Sequence, residues 1–376
     1  MAVPCRRCSV LAGHVLMQPS INKAIVDPAA CAELVAPDLT EDIDIDRVAY
    51  GFMASQALFS ALELQIFDHI ASNGAPMKAE QLMESCKVTA PRLLTLLTAL
   101  TAMHALQKGP SGYSLSANAS RYLVSSSKHF YGDYLRLQIG QQFYKHMTAL
   151  PDIMQGGKAP NYELLFSDER EADNYTRAQH NGSLATAAQL CKRVDFTGMQ
   201  SLLDIGGGSG AFAITACRKY PSLQAKILEF PEVCKTGERF VAAEPLAVAK
   251  RIKYVRGSCL NTWPAELGRD HDVALMSYVS ESVPADDVPM IYGRAYERLR
   301  PGGMLIVHSF MVEDTLDGPE LGALWSLQHV AVNADGLGLA PSLVTRMMQD
   351  VGFEAFQVDD MIKGMTKVII GRKPHV

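Results

Sequence analysis

Residues Leu202 to Gly210 read Leu-Leu-Asp-Ile-Gly-Gly-Gly-Ser-Gly: an apolar run, a carboxylate, then four glycines within five positions. Glycine has no Cβ, so such a segment can turn sharply from a buried strand into a helix and still let a ligand approach the backbone. Ala211 to Tyr220 has the composition of the following helix, and Pro221 ends it. A second apolar run, Ala225 to Glu229, ends in a carboxylate 23 residues after Gly206. A carboxylate at that spacing can accept hydrogen bonds from ribose hydroxyls. The loop is not Gly-x-Gly-x-x-Gly, and no Gly-Lys-Ser/Thr follows, so it is neither the common dinucleotide fingerprint nor a phosphate loop.

These residues need elements to hold them. From about Gly198 the pattern alternates strand and helix, with strands at 201–205, 225–229, 252–256, 273–278, 304–310 and 367–371, and a turn at Pro301-Gly302-Gly303 before the fifth. This predicts an α/β fold with a doubly wound sheet and a ligand at the carboxyl ends of its strands. Upstream, Phe52, Phe59, Leu62 and Ile66 can share the apolar face of one helix. A second helix is expected around Ala79 to Ser85. A third, Ala90 to His104, carries Leu93, Leu94, Leu97 and Leu100. Leu106 to Leu115 then reads as a hairpin turning at Gly109 to Gly112. Three helices and a hairpin make a winged-helix pattern, but the third helix is leucine-rich and almost uncharged, which favours burial against protein over DNA binding. Residues 120–195 read as mostly helical. The expected divisions are 1–44 as an extension, 45–165 as the helical domain and 166–376 as the sheet domain.

Composition bounds the function. The 376 residues are 48% hydrophobic and 20% charged, ordinary for a globular protein. A net charge of −5 offers no basic surface, so no nucleic-acid partner is expected. No apolar run approaches the ~18 residues of a membrane span. The eight cysteines have no regular spacing, which suggests free thiols in a reducing, intracellular compartment. Cys5-Arg-Arg-Cys8 has no partner pair at zinc spacing, so no metal is expected. Residues 1–26 carry Arg6, Arg7, His14 and Lys23 but no acid before Asp27. That is the composition of a chloroplast or mitochondrial transit peptide; if it is an inert tail instead, a cytoplasmic location follows.

Asp204-Ile-Gly-Gly-Gly-Ser-Gly210 resembles the S-adenosylmethionine site of class I methyltransferases. Together with Gly51 to Phe59, Glu229-Phe-Pro231 and Arg300-Pro-Gly-Gly303, it makes the chain resemble the acetylserotonin O-methyltransferase type from about residue 45 to residue 372. The resemblance implies a Rossmann-like methyltransferase domain behind a winged-helix domain that forms a homodimer and roofs the acceptor pocket. It implies Asp204, Gly206 and Gly208 against the methionine part of the cofactor and Glu229 on its ribose. Ser258 and Cys259 fall beside the adenine, where the family has Asp and an apolar residue. Ser277 falls at a further contact, and Ser183 near the cofactor's carboxylate.

The largest departure is at the family's general base. Its histidine is Glu281 here, the following aspartate is Ser282, and two supporting glutamates align with His308 and Gly338. A phenol, with a pKa of about 10, needs a base before it can attack a sulfonium methyl. A thioether has no proton to lose. Ser277-Tyr278-Val279, Trp325 to His329 and Gly364 to Lys367 resemble the S-methyltransferases of dimethylsulfoniopropionate synthesis, which act on 4-methylthio-2-hydroxybutyrate. On that reading Glu281, Tyr144 and Tyr278 would stabilise the sulfonium. Arg136, Arg177, His146 and Gln328 are candidates for the acceptor's carboxylate, with His329 beside them; Gln328 takes the place of a substrate-binding Asn of the family. Two alternatives stand. One is O-methylation of a phenol or indole-type acceptor, with His308 as base and Glu281 orienting it. The other is a cofactor-binding scaffold that transfers no methyl and either only binds or, like a pericyclase, catalyses a rearrangement in the sulfonium's field. Each residue also has a plainer reading: Glu281 as a solvated helix-start residue, His146 and His329 as structural histidines, and Arg136 and Arg177 as partners of surface carboxylates.

Overall fold

A computed structural model describes residues 43–336 and 338–375; the expected transit segment lies outside them. The first helices run Ile45–Glu63, Ile66–Asn73, Ala79–Cys86 and Ala90–Ala102. The apolar pattern from Phe52 to Ile66 does not mark one continuous helix. Gln65 takes a left-handed φ of 53° and separates two helices. Phe52 is 49% exposed, while Ile66 opens the second helix fully buried. Apolar spacing survived the break because both helices feed one core, with Phe67, Leu82, Leu93, Leu97 and Leu100. On the fourth helix Leu93, Leu97 and Leu100 face that core, and Leu94 points outward. Strands β1 (Leu106–Gly109) and β2 (Gly112–Leu115) pair antiparallel as the hairpin.

The chain then winds as a π-helix, Tyr134–Phe143, and later as a 25-residue α-helix, Glu169–Arg193. The remaining strands are β3 (Ser201–Ile205), β4 (Gln224–Glu229), β5 (Ile252–Arg256), β6 (His271–Ser277), β7 (Leu299–Phe310), β8 (Glu354–Ile362) and β9 (Thr366–Arg372). They form one seven-stranded sheet in the order β5-β4-β3-β6-β7-β9-β8. Neighbours from β5 to β7 run parallel, and β9 runs antiparallel to both β7 and β8. Core layers cover both faces: Leu202, Ile227 and Leu275 lie in one, Leu203, Leu228 and Met276 in the other. Strand order reverses between β3 and β6, so a crevice opens at their carboxyl ends.

Two details depart from the expected pattern. Pro301-Gly302-Gly303 is not a turn before a strand but a bulge inside β7. The pairing slips from His271↔Leu299 to Val273↔Met304, and Gly302 takes a φ of 74°. Strand β8 has no clear sequence signal, because this edge strand mixes apolar residues with Glu354, Asp359 and Asp360 and only Met361 in it is buried. Edge strands commonly carry charge, which prevents further pairing. Among the described residues no helix is long and apolar enough to cross a membrane.

Candidate active site

The glycine turn sits at the carboxyl end of β3, and its geometry demands glycine. Gly206, Gly208 and Gly210 have φ of 65°, 55° and 75°. A Cβ on Gly206 would lie 2.7 Å from Val279, and one on Gly207 would lie 2.6 Å from the Asp204 carboxyl. The turn is tied to the neighbouring strand: Glu229 accepts from the Gly208 amide at 2.8 Å and from the Phe230 amide at 2.7 Å. Asp204 is buried, and its Oδ2 has no hydrogen-bond partner. Burial, with the Glu229 charge adding to it, pushes the Asp204 carboxyl up to about 7. Burial pushes Glu229 up to about 7 as well, against the pull of its two amide donors. Two buried carboxylates and an unpartnered oxygen suit a ligand that brings hydroxyl donors and positive charge.

The cavity in front of the turn is lined by Asp204, Gly206, Gly208, Glu229, Ser258, Cys259, Ser277 and Ser183. The structure thus brings all eight expected cofactor residues to one cavity. Leu228, Phe230, Val233 and Leu260 supply apolar surface beside Cys259, and Tyr162, Tyr175 and Gln179 enter from the long helical segment. Sequence reasoning missed these last residues. They lie far from the glycine turn in the chain, and nothing in their spacing marks them.

A second cavity adjoins the first, sharing Tyr162, Tyr175, Gln179, Ser183, Tyr278 and Ser282 with it. Its wall is aromatic. Phe310 stacks on Trp325 at 4.4 Å with an interplanar angle of 13°, Tyr278 lies 4.9 Å from Phe310, and Phe143 meets Trp325 edge-on at 5.9 Å. Tyr278 holds a left-handed φ of 60°, and its amide donates to the His308 carbonyl at 2.8 Å. A non-glycine residue in that region stores about 1–3 kcal/mol of strain, which here directs the ring to the junction of the two cavities. His329 also lines this cavity. Its Nδ1 lies 2.8 Å from the Trp325 carbonyl; a carbonyl can only accept, so Nδ1 carries the proton and donates. Burial pushes the imidazole down to about 4, leaving it neutral with Nε2 as an acceptor. Arg121, Lys128 and Lys192 stand exposed at the rim.

Other expected site residues lie elsewhere. Glu281 is 2% exposed, so it is not a solvated helix-start residue, and it is not a wall residue of either cavity. Neither carboxylate oxygen has a hydrogen-bond partner. Burial pushes it up to about 7, opposed by the Ser309 hydroxyl beside it. Its charge in turn helps raise Tyr162, Tyr175 and Tyr278, which line the junction. His308 is fully buried behind Tyr278, with Nδ1 2.9 Å from the Ser277 hydroxyl and Nε2 without a partner. Burial pushes it down to about 3. No hydrogen bond joins Glu281 and His308, so the expected base pair is not assembled.

Gln328 is buried with both amide atoms unpartnered, outside the walls of both cavities. Tyr144 turns its ring to Phe59, 6.4 Å away, and His146 is half-buried with Nδ1 unpartnered; neither lines either of these two cavities. The π-helical winding just before them carries more residues per turn and shifts the face on which 3.6-residue spacing would place them. Arg177 is 48% exposed and lies 3.7 Å from Asp173, and Arg136 pairs with Glu63 and Asp133. Arg177 is therefore engaged outside both cavities, whereas Arg136 is held in part by Asp133, a wall residue of the second cavity.

The chain resembles known proteins over most of its length. A profile of the O-methyltransferase domain matches residues 132–354, and one of the O-methyltransferase dimerisation domain matches residues 47–125. The chain is 24% identical over 309 residues to 3-hydroxy-5-methyl-1-naphthoate 3-O-methyltransferase of Streptomyces sahachiroi, covering 81% of this chain and 87% of that protein. It is 24% identical over 322 residues to the N,N-dimethyltransferase OxyT of Streptomyces rimosus, covering 83% and 91%. Its fold is shared with the crystal structure of human N-acetylserotonin methyltransferase in complex with SAM: TM-score 0.79, 22% identity, 88% of this chain and 96% of that one.

Proposed function

This chain belongs to the O-methyltransferase family, and on that premise we propose that it methylates the sulfur of a small thioether acid, with S-adenosylmethionine as donor. The acceptor proposed is 4-methylthio-2-hydroxybutyrate, and the product is its sulfonium. Relatives named for oxygen and for nitrogen methylation both resemble this chain, so membership leaves the acceptor atom open.

The carrying observation is the state of the acid–base groups around the junction. Glu281, in place of the family's histidine, is buried and unpartnered and lies behind the wall. The two buried imidazoles nearby are held at about 3 and about 4. Taking a proton from a phenol of pKa about 10 onto an imidazole at about 4 is uphill by about six units, or roughly 8 kcal/mol. A thioether avoids that step.

The cofactor, when bound, supplies an electrophilic methyl group on a sulfonium. The residues of this chain do the rest. Asp204 and Glu229 hold the donor's polar groups, and Ser183, Tyr278 and Ser282 sit where the two cavities meet. The acceptor sulfur gives a lone pair to the methyl carbon, the old carbon–sulfur bond breaks, and its electron pair stays with the donor sulfur. No proton moves, and positive charge passes to the new sulfonium. Tyr278, Phe310 and Trp325 offer aromatic faces to that charge, and Glu281 supplies negative charge from behind. The alignment of three atoms is itself a large part of the rate. The rim cations Arg121, Lys128 and Lys192, rather than Arg177, are available to an acceptor carboxylate. The dimerisation domain supports a homodimer as the working unit.

O-methylation remains the second reading, favoured by one observation: His329 presents an unprotonated Nε2 on a residue of the acceptor cavity. Methyl-labelled cofactor offered separately with a thioether acid and with phenols decides between them. Label in a sulfonium product is expected; label confined to methyl ethers would overturn the sulfur reading.

A further inference from the structure

The glycine turn is held from two sides, and only one of them faces the ligand. Inside the cavity Glu229 takes the Gly208 amide. Outside it, the Tyr254 hydroxyl donates to the Gly208 carbonyl at 2.9 Å. Both ends of one residue in the turn are thereby fixed. The next residue, Ser209, places its hydroxyl 3.2 Å from Nδ1 of His180, on the helix Glu169–Arg193. The His180 ring stacks on Phe240 at 3.8 Å with an interplanar angle of 5°, so its orientation is set. Tyr254, His180 and Phe240 line neither cavity.

Tyr254 reaches the turn through a gap that two glycines leave open. A Cβ on Gly237 would lie 2.1 Å from the Tyr254 hydroxyl oxygen, and one on Gly210 would lie 2.8 Å from it. Gly237 stands inside the helix Pro231–Ala242, where glycine is disfavoured relative to alanine. A disfavoured residue at that point makes sense when a buried phenol has to pass it. Burial also keeps the phenol in its protonated, donating form.

We propose that Tyr254 and His180 are positioning residues that clamp the glycine turn in its ligand-binding shape and so set the affinity for the cofactor, without acting on the acceptor. The inference rests on the assignment of the first cavity to S-adenosylmethionine. Its physical content is preorganisation: a turn of four glycines has many alternative shapes, and each external bond removes some of them before the ligand arrives.

Tyr254→Phe keeps the ring and deletes the bond, and His180→Phe keeps the stack on Phe240 and deletes the contact with Ser209. Calorimetric titration of the full-length protein with S-adenosylhomocysteine, alongside steady-state kinetics, reads both. Each variant is expected to lose about fivefold in cofactor affinity, the effect of one neutral hydrogen bond. The acceptor KM and kcat at saturating cofactor should stay within twofold, and the melting temperature within a few degrees. Unchanged cofactor affinity in both variants overturns the clamp. A parallel loss in acceptor KM, kcat and melting temperature also overturns it, since that is what simple loss of packing would give. Absence of binding by the unsubstituted protein overturns the cofactor assignment itself, and the clamp with it.

Discussion

The two cavities differ in how they are built. The cavity proposed for the cofactor gathers around one strand–turn–helix unit, with Asp204 and Glu229 at the ends of adjacent strands β3 and β4 and Gly206 to Ser209 in the turn that follows β3. Its polar atoms are aimed by backbone bonds: the Gly208 and Phe230 amides hold Glu229 in place. The acceptor cavity draws Tyr131 and Phe143 from the helical segment, Tyr278 and Phe310 from strand ends, and Trp325 and His329 from a late helix. It is held mainly by ring contacts, with the Tyr278 amide and the His329 ring each also tied to a backbone carbonyl. A site fixed by main-chain geometry constrains residue type strictly, whereas a site made of packed rings tolerates change. That division suits a fold that keeps one donor and varies its acceptor.

The sharpest way to break this contrast is Gly206→Val. The side chain would enter space held by Val279 in a left-handed backbone that valine disfavours. Misplacement of this order is expected to cost more than about 100-fold in cofactor binding and turnover, measured by calorimetry and by methyl transfer. Retained binding would mean that the turn does not hold the donor. Trp325→Ala probes the other cavity. Removing the ring stacked on Phe310 should raise the acceptor KM by about tenfold, the scale of a cation–aromatic contact in a desolvated site, and leave the cofactor KM alone. An equal rise in both would show that the cavities do not act separately.

A third test is the pH dependence, whose sign is fixed by the raised carboxyls. Asp204, Glu229 and Glu281 are held at about 7 by burial. In the unfolded chain such groups titrate near 4, so between about pH 4 and pH 7 the folded state binds more protons. Stability of the ligand-free protein should therefore fall as pH rises through that window and level off above it. Affinity for a cationic donor runs the other way, rising by at most about tenfold per pH unit for each carboxylate that must ionise. Melting curves at pH 5.5 and 8 with and without S-adenosylmethionine should show a larger cofactor-induced shift at pH 8. An equal or larger shift at pH 5.5 would show that these carboxylates do not govern binding.

The same contrast decides what the sequence could reveal. Glycines at 206 and 208 and carboxylates at 204 and 229 lie close in the chain and have few alternative explanations, so their meeting at one cavity was legible. The strands of the sheet were legible through their apolar runs, except β8, a largely exposed edge in which acidic residues interrupt the apolar ones. The acceptor wall was not, because ring packing leaves no spacing rule. Tyr278 and His329 were found there, but Trp325 and Phe310 carried no signal of their role, and Tyr144 and His146 were displaced by the π-helical turn before them. Arg177 appeared available only because Asp173 had not yet been placed beside it. Position 281 showed that the family's base was missing, but only the structure showed its replacement buried with no partner and apart from His308.

The central claim is that the accepting atom has no proton to lose. Its most direct test is the pH dependence of single-turnover methyl transfer to 4-methylthio-2-hydroxybutyrate, at saturating cofactor, from pH 7.5 to 9.5. Above pH 7.5 the carboxyls held at about 7 are mostly ionised, so the account predicts a nearly flat rate and a sulfonium product. A rate that climbs about tenfold per pH unit, as deprotonation of a nucleophile demands, or no transfer to this thioether at all, would contradict it.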